Sequence, residues 1–171
     1  MEHKTSPESI LCRQCGLCCD GSLFADVVIS KQELTPIENI IGYEERSGRI
    51  FMQQPCLAYR DGDCQLYNDR PGGCRQFECQ LLKDVKIALT APTEALKEIR
   101  QVKSLIQSIK TLLSQLEQLD ESLPLSYQCE SALSEAWDLS EADSQQESRE
   151  QLYDQVAELE STLQDRFRSD G

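Results

Sequence analysis

Eight cysteines fall between residues 12 and 79, and four of them stand within eight consecutive positions, "CRQCGLCC" at 12–19. No other feature restricts the chain as strongly, because thiols this dense must be cross-linked, bound to metal or kept apart. The opening stretch "MEHKTSPESI" has no apolar segment of the kind a secretory signal carries. The expected compartment is therefore the cytoplasm, where thiols stay reduced and a disulfide framework is the weaker reading. Reduced cysteines at short spacing are good donors for soft or borderline metals. The single histidine, His3, lies in the terminal tail. Mixed Cys/His zinc fingers and a Cys–His nucleophilic pair thus lack their second partner. Any metal has to be held mainly by thiolates.

The candidate ligands are Cys12, Cys15, Cys18, Cys19, Cys56, Cys64, Cys74 and Cys79. Cys12-x2-Cys15 can close a small loop on one tetrahedral ion. Adding Cys18 makes C-x2-C-x2-C, the beginning of many cubane iron–sulfur runs. Zinc and an iron–sulfur cluster both accept four thiolates, so ligand type leaves zinc or iron open. Adjacent residues point in different directions and share one ion poorly. Cys18 and Cys19 therefore suggest two sites on one loop, or one site with a spare thiol. Arg70 and Arg75 flank Cys74 and could relieve the net negative charge of a four-thiolate site. Tyr67 and Phe77 could shield it. Cys129 stands apart and reads as a small buried apolar residue.

Composition points the same way. Hydrophobic residues make up 39% of the chain and aromatics 6%, too few for a large apolar core, so metal binding is a natural further source of folding free energy. The net charge of −13 argues against nucleic acid and against an anionic membrane surface, and no apolar run approaches the length of a membrane span. Charge is unevenly spread, −3 over residues 1–90 and −10 over 91–171, which places a boundary near residue 90. The expected class is α+β: a small irregular cysteine-rich domain over 1–90, with short strands, a hairpin and helices, then an antiparallel helical hairpin over 91–171.

Within the first region, "FADVVIS" at 24–30 reads as a strand. Ser30 with Glu33 and Thr35 with Glu38 both fit capping boxes, so a short helix ending near Gly42 has two candidate starts. Asp61-Gly62 between two short runs predicts a hairpin, with Cys56 and Cys64 on its arms. "DRPGGCRQFEC" at 69–79 reads as a turn-rich connection. In the second region, Ile99, Val102, Ile106, Ile109, Leu113 and Leu116 alternate in steps of three and four from a start at Pro92. Leu105, Leu112 and Leu119 widen that face. Pro124 breaks the helix, and a shorter helical stretch around Leu133, Ala136 and Trp137 follows. Leu152, Val156, Leu159, Leu163 and Phe167 form a second stripe. These stripes predict a helical hairpin, with coiled-coil dimerisation as the sharper alternative.

Four segments carry a resemblance: "CRQCGLCC" (12–19), "VVISKQEL" (27–34), "PCLAYRDGDCQLY" (55–67) and "RPGGCRQFEC" (70–79). Together they resemble the CxxCxxCC, or YkgJ-type, cysteine-cluster family over about residues 10–90. The resemblance implies a zinc- or iron-chelating domain with the eight cysteines as ligands, and leaves 91–171 uncovered. Flagellin lysine methylases carry a similar cluster. This chain is short and shows no cofactor-binding loop for methyl transfer, so that activity does not carry over.

Three functions follow. The first is a metal-binding protein with no catalytic residues. The second is a redox or methylase-like enzyme using an iron–sulfur cluster, for which no general base, phosphate loop or dinucleotide fingerprint is present. The third is an interaction protein with a structural metal staple, in which the acidic C-terminal helices dock a protein partner or a second copy.

Overall fold

The structure is a computed structural model describing residues 7–134 and 143–168. It is mixed α and β, with seven α-helices and short antiparallel strands among the described residues. Helix α1 (Pro7–Cys15) leads into a loop and strand β1 (Asp26–Ile29). Helix α2 (Lys31–Leu34) starts at Ser30, whose side chain accepts from the Glu33 N–H while Glu33 accepts from the Ser30 N–H. That reciprocal cap selects the first of the two possible starts. The helix ends at Leu34, and residues 35–40 continue as turns rather than as helix.

Strands β2 (Tyr43–Arg46) and β3 (Arg49–Gln53) make a hairpin that sequence reading missed. Its turn is Ser47-Gly48, with both residues at positive φ, the geometry that matches strand twist. The sheet order is β1-β3-β2, antiparallel throughout. The expected second hairpin is present as β4 (Tyr59–Arg60) and β5 (Asp63–Cys64), with Asp61 and Gly62 at φ 53° and 78°. The stretch read as turn-rich contains a short helix, α3 (Gly72–Gln76), and α4 (Gln80–Lys86) follows.

Helix α5 (Pro92–Gln115) begins at its proline, as expected. All six residues of its seam are buried. Leu112 is buried with them, whereas Leu119 lies beyond the helix end and is exposed. Helix α6 (Leu125–Ser134) starts after Pro124; Ala136 and Trp137 lie outside the described residues. Helix α7 (Asp143–Thr162) ends in a π-helical turn, Leu163–Phe167. Ser148 reaches Gln115 while Arg166 reaches Glu98, so α5 and α7 run antiparallel.

Two apolar cores result. The larger joins the C-terminal helices to Leu11, Leu17, Leu23, Leu81 and Leu82, so residues on both sides of position 90 share it. The smaller holds Ile29, Leu34, Ile37, Ile41, Ile50, Met52, Ala58 and Leu66 beneath the sheet. The α5 seam is spent inside the chain against α1, α4 and α7. No helix among the described residues is long and apolar enough to cross a membrane.

Candidate metal centre

The cysteine-rich loop is built on the end of α1. Cys12 and Cys15 are three apart in its last turn and so lie on one face. Gly16 follows at φ 75°, and its N–H donates to the Cys12 carbonyl at 3.0 Å. A side chain at Gly16 would be strained there and would also overlap the Tyr59 hydroxyl. Turn bonds from the Cys19 and Asp20 N–H groups to the Gly16 carbonyl fold the loop back. Leu17 and Leu23, both buried in the larger core, pin it.

The remaining thiols arrive from three other segments. The Cys56 N–H donates to the Cys19 carbonyl at 2.8 Å, and Cys56 in turn accepts from the Tyr59 N–H at 2.9 Å. Tyr59 pairs with Cys64 across the β4–β5 hairpin. Cys74 sits in α3, which packs on β1. Glu33 ties this helix down by accepting the Gly72 N–H at 2.6 Å. Cys79 caps α4, its Sγ accepting the Leu82 N–H at 3.4 Å. All eight candidate cysteines line one cavity of about 460 Å³ lying between the two cores. Cys129 does not; it is buried in the larger core, as the sequence suggested.

Burial dominates the electrostatics of these thiols. It pushes Cys15 and Cys19 up to about 12 and Cys74 up to about 11, and carries Cys18 well above its ordinary value. Cys12, Cys56 and Cys79 are raised for the same reason. The thiols also act on one another. Cys12 feels Cys79; Cys15 feels Cys79 and Cys12; Cys18 feels Cys15, Cys19, Cys79 and Cys12. Cys19 feels Cys56, Cys74 and Cys64; Cys56 feels Cys64; Cys74 feels Cys56 and Cys64. Thiols buried this way stay neutral unless a cation takes up the charge, and thiolate is the ligand form that zinc and iron require. The donor set therefore fits either metal.

Among the described residues, no three His, Cys, Asp or Glu side chains stand close enough together to hold an ion as placed. Cysteine sulfur is one torsion from the backbone, and a change between staggered χ1 positions carries it about 3 Å.

Of the two flanking arginines, Arg70 is the one whose charge reaches the thiols. It stacks over Tyr67 at 4.1 Å and lowers both Cys12 and Cys74. The charge of Arg75 is felt at Glu33. Phe77 lines the cavity in an edge-on contact with Phe24, ring centroids 5.0 Å apart. Lys86 and Arg166, which sequence reading did not single out, lower Cys12 and Cys79 respectively. Arg166 donates to Asp84 at 2.6 Å and to Glu98 at 2.8 Å, and the adjacent Phe167 lines the cavity. No local pattern marks residues so far along the chain from Cys79. Gln54 also lines the cavity, and its buried Oε1 has no hydrogen-bond partner among the described residues.

No curated protein and no solved structure matches the chain. A family model does, over residues 11–107: CxxCxxCC, described as a putative zinc- or iron-chelating domain. The match takes in all eight cavity cysteines and ends inside α5. With more than half of its length matched and its thiols gathered on one cavity, the chain belongs to the CxxCxxCC family.

Proposed function

We propose that this is a metal-binding protein that holds zinc or iron, the latter as single ions or as an iron–sulfur cluster, through the thiolates of Cys12, Cys15, Cys18, Cys19, Cys56, Cys64, Cys74 and Cys79. One observation carries the reading: eight cysteines from four separate segments line one cavity, and the ninth does not. When bound, the metal supplies the positive charge that buried thiolates lack. Residues 1–90 supply the thiols. Residues 91–171 supply a helical wall, through Ile99 and Phe167. Elemental analysis with a visible absorption spectrum, on anaerobically purified chain, tests this. Zinc without colour, or iron with a sulfur-to-iron absorption band, is the expected result. Fully reduced protein that retains neither metal when both are supplied sinks the reading.

The cavity favours a second reading, the redox or methylase-like enzyme. Its volume of about 460 Å³ falls within the range of small-molecule pockets, and Gln54 Oε1 offers an unused acceptor at its wall. Reversible bleaching of an iron–sulfur band by a reductant would support this; a redox-silent zinc protein would exclude it. An interaction role rests on Tyr153, 65% exposed on the strongly acidic α7. Because the helices share a core with the cysteine loop, deleting them cannot test that role. Sedimentation of Tyr153→Lys against the parent chain can, for self-association: an unchanged mass would remove that version.

A further inference from the structure

We propose that the eight thiols form two separate four-thiolate sites, one of Cys12, Cys15, Cys18 and Cys79 against the larger core and one of Cys19, Cys56, Cys64 and Cys74 against the smaller. The assignment rests on the metal-binding reading above and deepens it.

Packing makes the first division. Cys15, Cys18 and Cys79 pack against the larger core, whereas Cys56, Cys64 and Cys74 pack against the smaller. No thiol is shared between the two lists. Backbone connections make the second. Cys12, Cys15 and Cys18 follow one another through the end of α1 and its loop, and α1 packs on α4, whose cap is Cys79. Cys19 is instead bonded to Cys56 by the 2.8 Å backbone hydrogen bond. Cys56 precedes the hairpin whose last residue is Cys64, and Cys74 reaches the same core from α3 over β1.

Electrostatic neighbours divide the same way. The thiols that act on Cys12, Cys15, Cys18, Cys19, Cys56 and Cys74 belong to the same set as the residue they act on, and the one crossing is between the chain neighbours Cys18 and Cys19. Adjacency explains the crossing, and it also explains the motif. Leu17 is anchored in the larger core, and Cys18 packs there beside it. The next residue turns toward the hairpin. Two neighbouring cysteines are what a single loop needs in order to serve ions on opposite sides of it.

Basic groups are placed accordingly. Lys86 and Arg166 act on the first set, while Arg70 acts on Cys12 of the first and Cys74 of the second. A divalent ion with four thiolates carries a net −2, so two such sites side by side repel unless cations lie near them. Arg70 is placed to serve both.

The test compares double variants of the full chain, purified anaerobically, by metal content per chain. Cys79→Ser should remove one metal complement and Cys56→Ser the other. The cross-set double, Cys79→Ser with Cys56→Ser, should lose both. The within-set double, Cys18→Ser with Cys79→Ser, should lose no more than Cys79→Ser alone. Where a variant fails to fold, Cys12→Ser and Cys74→Ser repeat the comparison from the two sets. If the cross-set double loses no more metal than either single variant, the division is overturned while metal binding stands. If the parent chain itself holds no metal, both fall.

Discussion

The two cores meet at the cysteine cavity, but they are unequal. Among the described residues the larger has twenty buried members drawn from five helices and a loop, and the smaller has eight under a three-stranded sheet. Each is edged by thiols. An apolar cluster of eight residues is below what usually holds a fold together unaided. The larger core, organised by the long α5, resembles an ordinary helical core. Under the proposed two-site assignment, a metal bound against the larger core adds to packing that already stands, whereas one bound against the smaller would supply much of the stability.

That contrast is open to attack. Chelation should separate the two regions most sharply. A structural thiolate site contributes on the order of 10 kcal/mol, so metal-free chain should lose the smaller core while α5 and α7 persist. In thermal melts followed by circular dichroism, an early loss of strand signal with retained helical signal is expected. One unchanged transition would break the comparison.

Next in size is Phe167→Ala. Phe167 is fully buried in the larger core and lines the cavity, and truncating such a ring costs about 3–5 kcal/mol. Denaturant midpoints should fall for the helices and leave metal content nearly intact. Loss of all metal would show the larger core to be as dependent on its thiols as the smaller.

Arg166→Gln comes third. It leaves Asp84, 4% exposed, without its cation. The hydrogen bond from Arg166 is the first cause that holds the Asp84 carboxyl below its usual range, so the variant raises that pKa. A loss of about 2 kcal/mol is expected, below the full cost of breaking a buried pair because Arg166 keeps 29% exposure. Equilibrium unfolding at neutral pH checks it.

Glu33→Gln is the smallest, at about 1 kcal/mol. The N–H of Gly72, then the N–H and hydroxyl of Ser30, hold Glu33 down to about 2, against an ordinary 4.5. A depressed carboxyl contributes stability above its unfolded value and loses it as pH falls through the folded one. The parent should therefore weaken between about 4.5 and about 2 in a step that the variant lacks. Equal acid limbs would remove Glu33 as the tie between α2 and α3.

What could be read in advance follows from the range of each interaction. The Ser30–Glu33 cap, the Asp61-Gly62 turn and the α5 stripe are local patterns, and all three are present. The β2–β3 hairpin was missed because "YEER" is exposed along its whole length and shows no apolar alternation. The helix α3 was hidden by Gly72 and Gly73, poor helix formers that here begin a single turn. The eight cysteines that line the cavity were legible as a set, because thiols at that density have few uses. Their surroundings were not. Arg166 and Phe167 reach the cavity only through the packing of α7 on α5, which no spacing near the cysteines encodes.

Sulfur alone is proposed to hold the metal, and X-ray absorption at the metal edge is the sharpest test of that proposal. On the full chain as purified, the fitted first shell should contain only sulfur, about four per metal at ~2.3 Å. A shell dominated by nitrogen or oxygen at ~2.0–2.1 Å would contradict it.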